Sequence, residues 1–149
     1  MNVVIAIDSF KGSLSSLEAG ESAANGIKKV YPDATTVIRP LADGGEGTVD
    51  ALVAGCGGKM TTVSVTGPLG ETVSCQYGIV SATKTAIIEM AVAAGITLVP
   101  PQKKNPLHTT TYGVGEIIAD AVKRGCRHFL IGIGGLSLIH ISEPTRPLY

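Results

Sequence analysis

The chain opens on an unbroken apolar run, Val3-Val4-Ile5-Ala6-Ile7, closed by Asp8-Ser9. A continuous β-branched run of that length predicts a strand buried on both faces, as in a parallel sheet. Residues 10–14 carry Lys11 and Gly12 and predict a loop. Ser15-Ser16-Leu17-Glu18 then fits a capping box, in which Ser15 and Glu18 satisfy open amides at a helix start. Leu17, Ala24, Ile27 and Tyr31 keep roughly helical spacing, and Pro32 ends the helix. Residues 35–39 predict a second strand, which completes a β-loop-α-β opening. Beyond Pro40, a glycine loop feeds a short helix over residues 49–54 that Gly55 terminates.

The pattern changes near residue 60. Residues 60–66 alternate, 67–70 form a turn, 73–80 alternate loosely, 81–84 turn again, and 85–90 are apolar apart from Glu89. Strands closed by tight turns predict an antiparallel meander, and so a second structural unit. The proline-rich residues 100–106 predict a loop. Val114, Ile117, Ile118, Ala121 and Val122 form the apolar stripe of a helix ending at Gly125. Residues 127–133 predict a buried strand running into Gly134-Gly135.

From Leu136 the text stops reading as this fold. A buried strand followed by Gly-Gly should lead into a turn or a helix cap. Instead the chain runs Leu-Ser-Leu-Ile-His-Ile-Ser-Glu-Pro-Thr-Arg over 136–146. That string resembles the conceptual translation of a transposase adapter used in library preparation for DNA sequencing. Residues 136–149 are therefore expected to be a non-native tail, excluded from fold reasoning.

Twelve basic residues balance twelve acidic ones, which argues against a nucleic-acid or membrane-surface partner. The 44% hydrophobic content, 19 glycines and absence of tryptophan suit an α/β protein with an aliphatic core. The start has no basic leader, its apolar run ends at Asp8, and no stretch approaches the roughly 18–20 apolar residues of a membrane helix. The expected location is cytoplasmic. Cys56, Cys75 and Cys126 are odd in number and far apart, which favours idle thiols in a reducing compartment over a disulfide or zinc site.

Three stretches offer chemistry. Asp8-Ser9-Phe10-Lys11-Gly12-Ser13 follows a strand, and ligands of open α/β sheets sit outside the carboxyl ends of strands. There Lys11 can pair with a phosphate or carboxylate as a point charge; the alternative is a capped loop with a solvated lysine. Asp43-Gly44-Gly45-Glu46-Gly47-Thr48 lets backbone amides approach a ligand, and the following helix would aim open amides at an anion. Asp43 or Glu46 can hold Mg²⁺, a hard cation that takes carboxylate and phosphate oxygens. An ordinary turn is the alternative. Thr109-Thr110-Thr111-Tyr112-Gly113-Val114-Gly115-Glu116 opens a helix as an anion cradle or, equally, as a simple cap by Thr110 or Thr111. Neither a Walker A loop nor a complete G-x-G-x-x-G fingerprint is present.

In this order, together with Thr66-Gly67-Pro68-Leu69-Gly70, Ile88-Glu89-Met90-Ala91 and Gly132-Ile133-Gly134-Gly135, these blocks resemble the successive hallmarks of bacterial glycerate kinases. The resemblance covers residues 1–135. It implies transfer of the γ-phosphoryl of ATP, with Mg²⁺, to a hydroxyl of D-glycerate, the product in most bacterial members being 2-phosphoglycerate. It also implies a Rossmann-like α/β domain, begun here by residues 1–60, and a second α/β domain, of which 61–135 are part, with the active site in the cleft between them. After Gly134-Gly135 the family continues with Ser-Ala-Thr-Asn-Asp-Gly-Gly and more than another half of the protein. Both domains are thus expected to be incomplete here, and the chain as written is expected not to turn over.

On chemical grounds Lys11 is assigned to substrate carboxylate or phosphate, Asp43 and Glu46 to Mg²⁺ or the glycerate hydroxyl, and Asp8 to a base or metal ligand. Ser9, Gly12, Gly44, Gly45, Gly47, Thr110, Thr111 and Gly113 are assigned to substrate and phosphate binding. The competing class is a non-catalytic nucleotide- or anion-binding α/β module.

Overall fold

A computed structural model describes residues 1–10 and 13–134. Strand β1 (Asn2–Ile7) pairs in parallel with β2 (Thr35–Pro40), placing Ile5 opposite Ile38. Helix α1 (Ser16–Val30) forms the crossover and packs on both strands. The predicted capping box forms at its start. Glu18 N–H donates to Ser15 Oγ at 3.2 Å, and Ser15 N–H donates to Glu18 Oε2 at 2.9 Å. Replacing Ser15 with Ala is expected to lower stability by about 1 kcal/mol, read as a reduced midpoint in urea unfolding; an unchanged midpoint would remove the cap from the account.

The strand β1 differs from expectation in one respect. Ile5 is buried, whereas Val4 is 67% exposed and Val37 in β2 is 37% exposed. Successive side chains of a strand point to opposite faces. Helix α1 covers the Ile5–Ile38 face, and among the described residues the Val4–Val37 face stays open.

Helix α2 (Thr48–Cys56) runs two residues past the predicted end. Gly55 lies inside it, and the left-handed Gly57 terminates it instead. Then β3 (Lys59–Thr66), β4 (Thr72–Val80) and β5 (Thr85–Glu89) form the predicted antiparallel meander. Strand β6 (His128–Gly132) adds in parallel beside β5, giving the order β3-β4-β5-β6. Two helices precede it: the short α3 (Ala91–Ala94) and α4 (Tyr112–Lys123). Three single 3-10 turns lie between them, one of which, Pro101–Lys103, falls inside the loop expected over residues 100–106.

The four-stranded sheet is covered on both faces. On one, Tyr77, Ala86 and Ile88 pack with Ala93 of α3 and Val114, Ile117 and Ala121 of α4. On the other, Val49 of α2 meets Val80 and Ile87. Strand β5 is therefore buried along almost its whole length, as an interior strand should be. Strand β6 is not: Leu130 is 50% and Ile131 40% exposed, against the expected buried strand. It lies at the sheet edge, where one flank has no neighbouring strand among the described residues. With helices laid on two sheets that each contain a parallel pair, the fold is α/β, as expected.

The Tyr77 hydroxyl donates to Asp120 Oδ2 at 2.8 Å, and Arg124 Nε reaches the same oxygen at 2.7 Å, tying α4 to β4. Cys75 is buried, its Sγ 3.0 Å from the Val92 carbonyl, and burial pushes its thiol up to about 11. An inert structural thiol fits that environment.

Candidate active site

The loop after β1 and the loop after β2 leave the same end of a parallel pair. Asp8 accepts the Ser9 N–H at 2.6 Å, and Phe10 closes back on Leu14 through a 2.8 Å backbone bond. Lys11 and Gly12, assigned to substrate binding, lie outside the described residues. On either side of them, Ser9, Phe10 and Ser13 line a cavity of about 510 Å³. Glu46, Gly47 and Asp50 line the same cavity. The two loops thus share one crevice, of a size that holds a small organic ligand.

The second loop is held by its glycines. Gly44 and Gly47 sit at φ of +92° and +86°, left-handed values that favour glycine. Asp43 Oδ1 accepts the Gly45 N–H at 3.0 Å, which folds the turn and leaves Oδ2 for a ligand. Asp43 and Glu46 are both exposed. The loop also rests on the end of β6, where Gly134 N–H donates to the Gly44 carbonyl at 2.9 Å. A Cβ at Gly132 would stand 2.6 Å from that same carbonyl oxygen, so only glycine fits there.

The start of α2 differs from the open anion cradle read from the sequence. Its N-cap is Gly47, which has no side chain to donate or accept. Thr48 N–H donates to the Gly45 carbonyl at 3.2 Å, and Val49 N–H donates at 2.8 Å to Glu89 Oε1, forty residues away at the end of β5. Glu89 is 7% exposed. Burial pushes its carboxyl above the usual carboxylate range, the Val49 amide works against that, and the nearby Asp50 adds to it. A carboxylate already sits where an anion was expected. Beside it the Thr48 hydroxyl is buried without a hydrogen-bond partner among the described residues.

Glu89 was not among the predicted site residues. The signal was present, because it is the single charge in an otherwise apolar run, and a buried charge needs a specific partner. What the run does not state is the partner's identity.

The threonine block lies elsewhere. Thr110 N–H donates to the Pro68 carbonyl at 3.0 Å, and Glu116 Oε2 accepts the Thr66 N–H at 2.6 Å. Gly113 packs against the Thr66 carbonyl so closely that any side chain would overlap it. Thr110 Oγ1 accepts the Tyr112 N–H at 3.1 Å, whereas Thr111, the N-cap, makes no side-chain cap bond. Thr111, Tyr112 and Glu116 line a separate cavity of about 520 Å³ with Met90, the neighbour of Glu89. Of the predicted residues, Ser9, Glu46 and Gly47 line one cavity and Thr111 the other, while Asp8, Asp43, Gly44, Gly45, Thr110 and Gly113 line neither. Among the described residues no three His, Cys, Asp or Glu side chains converge as a ready metal cluster. No described helix is long and apolar enough to cross a membrane.

The sequence profile of the glycerate kinase family matches residues 3–139. The chain belongs to the glycerate kinase family. It is 53% identical over 135 residues to a glycerate kinase of Haemophilus influenzae, covering 91% of this chain and 36% of that protein. It is 49% identical over 135 residues to a glycerate 2-kinase of Escherichia coli K12, covering 91% of this chain and 35% of the relative. A crystal structure described as glycerate kinase 2 from Salmonella typhimurium LT2 superposes with a TM-score of 0.82 at 48% identity, over 91% of this chain and 36% of that one. This glycerate kinase family chain thus spans about a third of the length of the relatives it matches.

Proposed function

We propose that the protein to which this chain belongs is a cytoplasmic kinase that transfers the γ-phosphoryl of ATP to a hydroxyl of D-glycerate, yielding 2-phosphoglycerate. The observation that carries this reading is the shared crevice, in which the loop bearing Lys11 faces the loop bearing Glu46 and Gly47. The named relatives support the substrate. Residues 1–60 are read as the start of a Rossmann-like domain, 61–135 as part of a second α/β domain, and 136–149 as the non-native tail, which lies outside the described residues.

Phosphoryl transfer asks a protein mainly for positioning and for neutralisation of charge. Lys11 is assigned to the anionic end of glycerate or to a transferring phosphate. Asp8 is assigned as the base that takes the proton of the reacting hydroxyl, or as a metal ligand, and Asp43 and Glu46 are assigned to Mg²⁺ or to orienting that hydroxyl. Mg²⁺ normally binds through one or two carboxylates together with substrate phosphates. Asp43 Oδ2 and the exposed Glu46 suit that donor set, and the ion would supply neutralisation of the phosphate charge. Ser9 and Gly47 line the crevice, and Gly12, Gly44 and Gly45 are assigned with them to substrate and phosphate binding. Thr110, Thr111 and Gly113 are assigned to substrate or phosphate binding.

Coupled measurement of ADP release by the full-length enzyme, with and without D-glycerate, tests the reading. Release that depends on glycerate is expected. Nucleotide binding with no glycerate-dependent turnover would favour a non-catalytic binding module instead.

A further inference from the structure

The end of β5 joins three of the sequence blocks at one point. Glu89 pairs in register with Gly132 of β6, and the next residue, Met90, donates its N–H to the Gly132 carbonyl at 2.9 Å. Gly132 and Gly134 carry the Gly44 turn on their bare backbone. Glu89 reaches across to the first turn of α2, where no local side chain caps the helix. The glycine loop thus has two anchors, a backbone contact at Gly44 and a side-chain contact at Val49. Between them hang Glu46 and Gly47, the residues that face the crevice.

From this geometry we infer that Glu89 is a positioning residue, whose reach to the Val49 amide fixes the crevice-facing part of the glycine loop against the ends of β5 and β6. It touches no substrate and acts through the loop. A capping residue acts as an acceptor at a set distance. The length of the side chain should therefore matter more than its charge. A buried ion pair or a proton-transfer group would show the opposite order. The Thr48 hydroxyl beside this contact is buried without a partner among the described residues.

Two variants of the full-length enzyme separate reach from charge. Glu89→Asp keeps the charge and withdraws it by one methylene; Glu89→Gln keeps the reach and the acceptor oxygen. In Glu89→Asp, amide exchange over residues 44–49 is expected to accelerate about ten-fold, with β3 and α4 unchanged. Its kcat is expected to fall about 100-fold, as a misplacement on the scale of an ångström can cost, with KM for ATP moving far less. Glu89→Gln is expected to restore slow exchange and most of kcat. An active Asp variant beside an inactive Gln variant would overturn the inference, as would unchanged loop exchange in Glu89→Asp or acceleration spread over the whole chain. The kinetic arm rests on the proposed kinase reading and the exchange arm does not. A wild-type enzyme that ignores glycerate would sink the function and leave exchange to decide the role of Glu89.

Discussion

Exchanging Asp43 for Asn, or Lys11 for Ala, in the full-length enzyme is expected to cut kcat/KM for glycerate by about 10²–10³-fold, the loss typical of removing one charge-stabilising group. The Asn variant is informative because of the turn that Asp43 builds. Its Oδ1 accepts the Gly45 N–H, and an asparagine amide oxygen can do the same. Geometry is retained and only the charge goes, so a folded but slow enzyme is the expected result. The Lys11 variant removes the one cation that the strand-end loop presents between Asp8 and Ser13. Steady-state kinetics with circular dichroism as a fold control measures both. Near-wild-type kinetics in both variants would discard these residues as the centre of the chemistry.

Placing a methyl group at Gly132 is expected to damage the site from behind. The new Cβ would meet the Gly44 carbonyl oxygen at 2.6 Å and its carbon at 3.3 Å, both of them backbone atoms that no rotamer change can move. The Gly134–Gly44 hydrogen bond holds the same two segments together, so relief requires the loop to lift off β6. Overpacking of this kind costs about 1–3 kcal/mol. Displacement of the loop carrying Glu46 is expected to lower turnover about 100-fold in Gly132→Ala. Gly26 provides the contrast. It lies in the interior of α1, where an added Cβ would have nothing within 4 Å, and Gly26→Ala is expected to gain about 0.5–1 kcal/mol. Urea unfolding of the two variants reads the difference. A Gly132→Ala protein as stable and active as the wild type would mean that the loop does not rest on β6.

The predicted elements and the structure agree best where the signal is local. The capping box at Ser15, the stop at Pro32, the turns at residues 67–70 and 81–84, and the stripe of α4 are each decided by neighbours within a few positions. Boundaries drifted where two glycines competed. Gly55 and Gly57 are equally good terminators on paper, and it is Gly57, at a left-handed φ of +66°, that closes α2. Burial was misjudged for β1 and β6. An apolar run reports that a strand can be buried, whereas a neighbour on each side decides whether it is.

The order of chemical blocks along the chain was enough to place it in a family and to expect an α/β fold, because glycines, prolines and strand-end carboxylates impose local geometry wherever they occur. Their meeting was a tertiary matter. Nothing in the spacing says that residues 44 and 132 touch through bare backbone, or that a carboxylate on β5 closes the first turn of a helix forty positions earlier. Those contacts arise from parallel pairing of β5 with β6 and from α2 packing across the sheet. Both are long-range events that depend on register and burial, and a linear pattern of residue types carries neither.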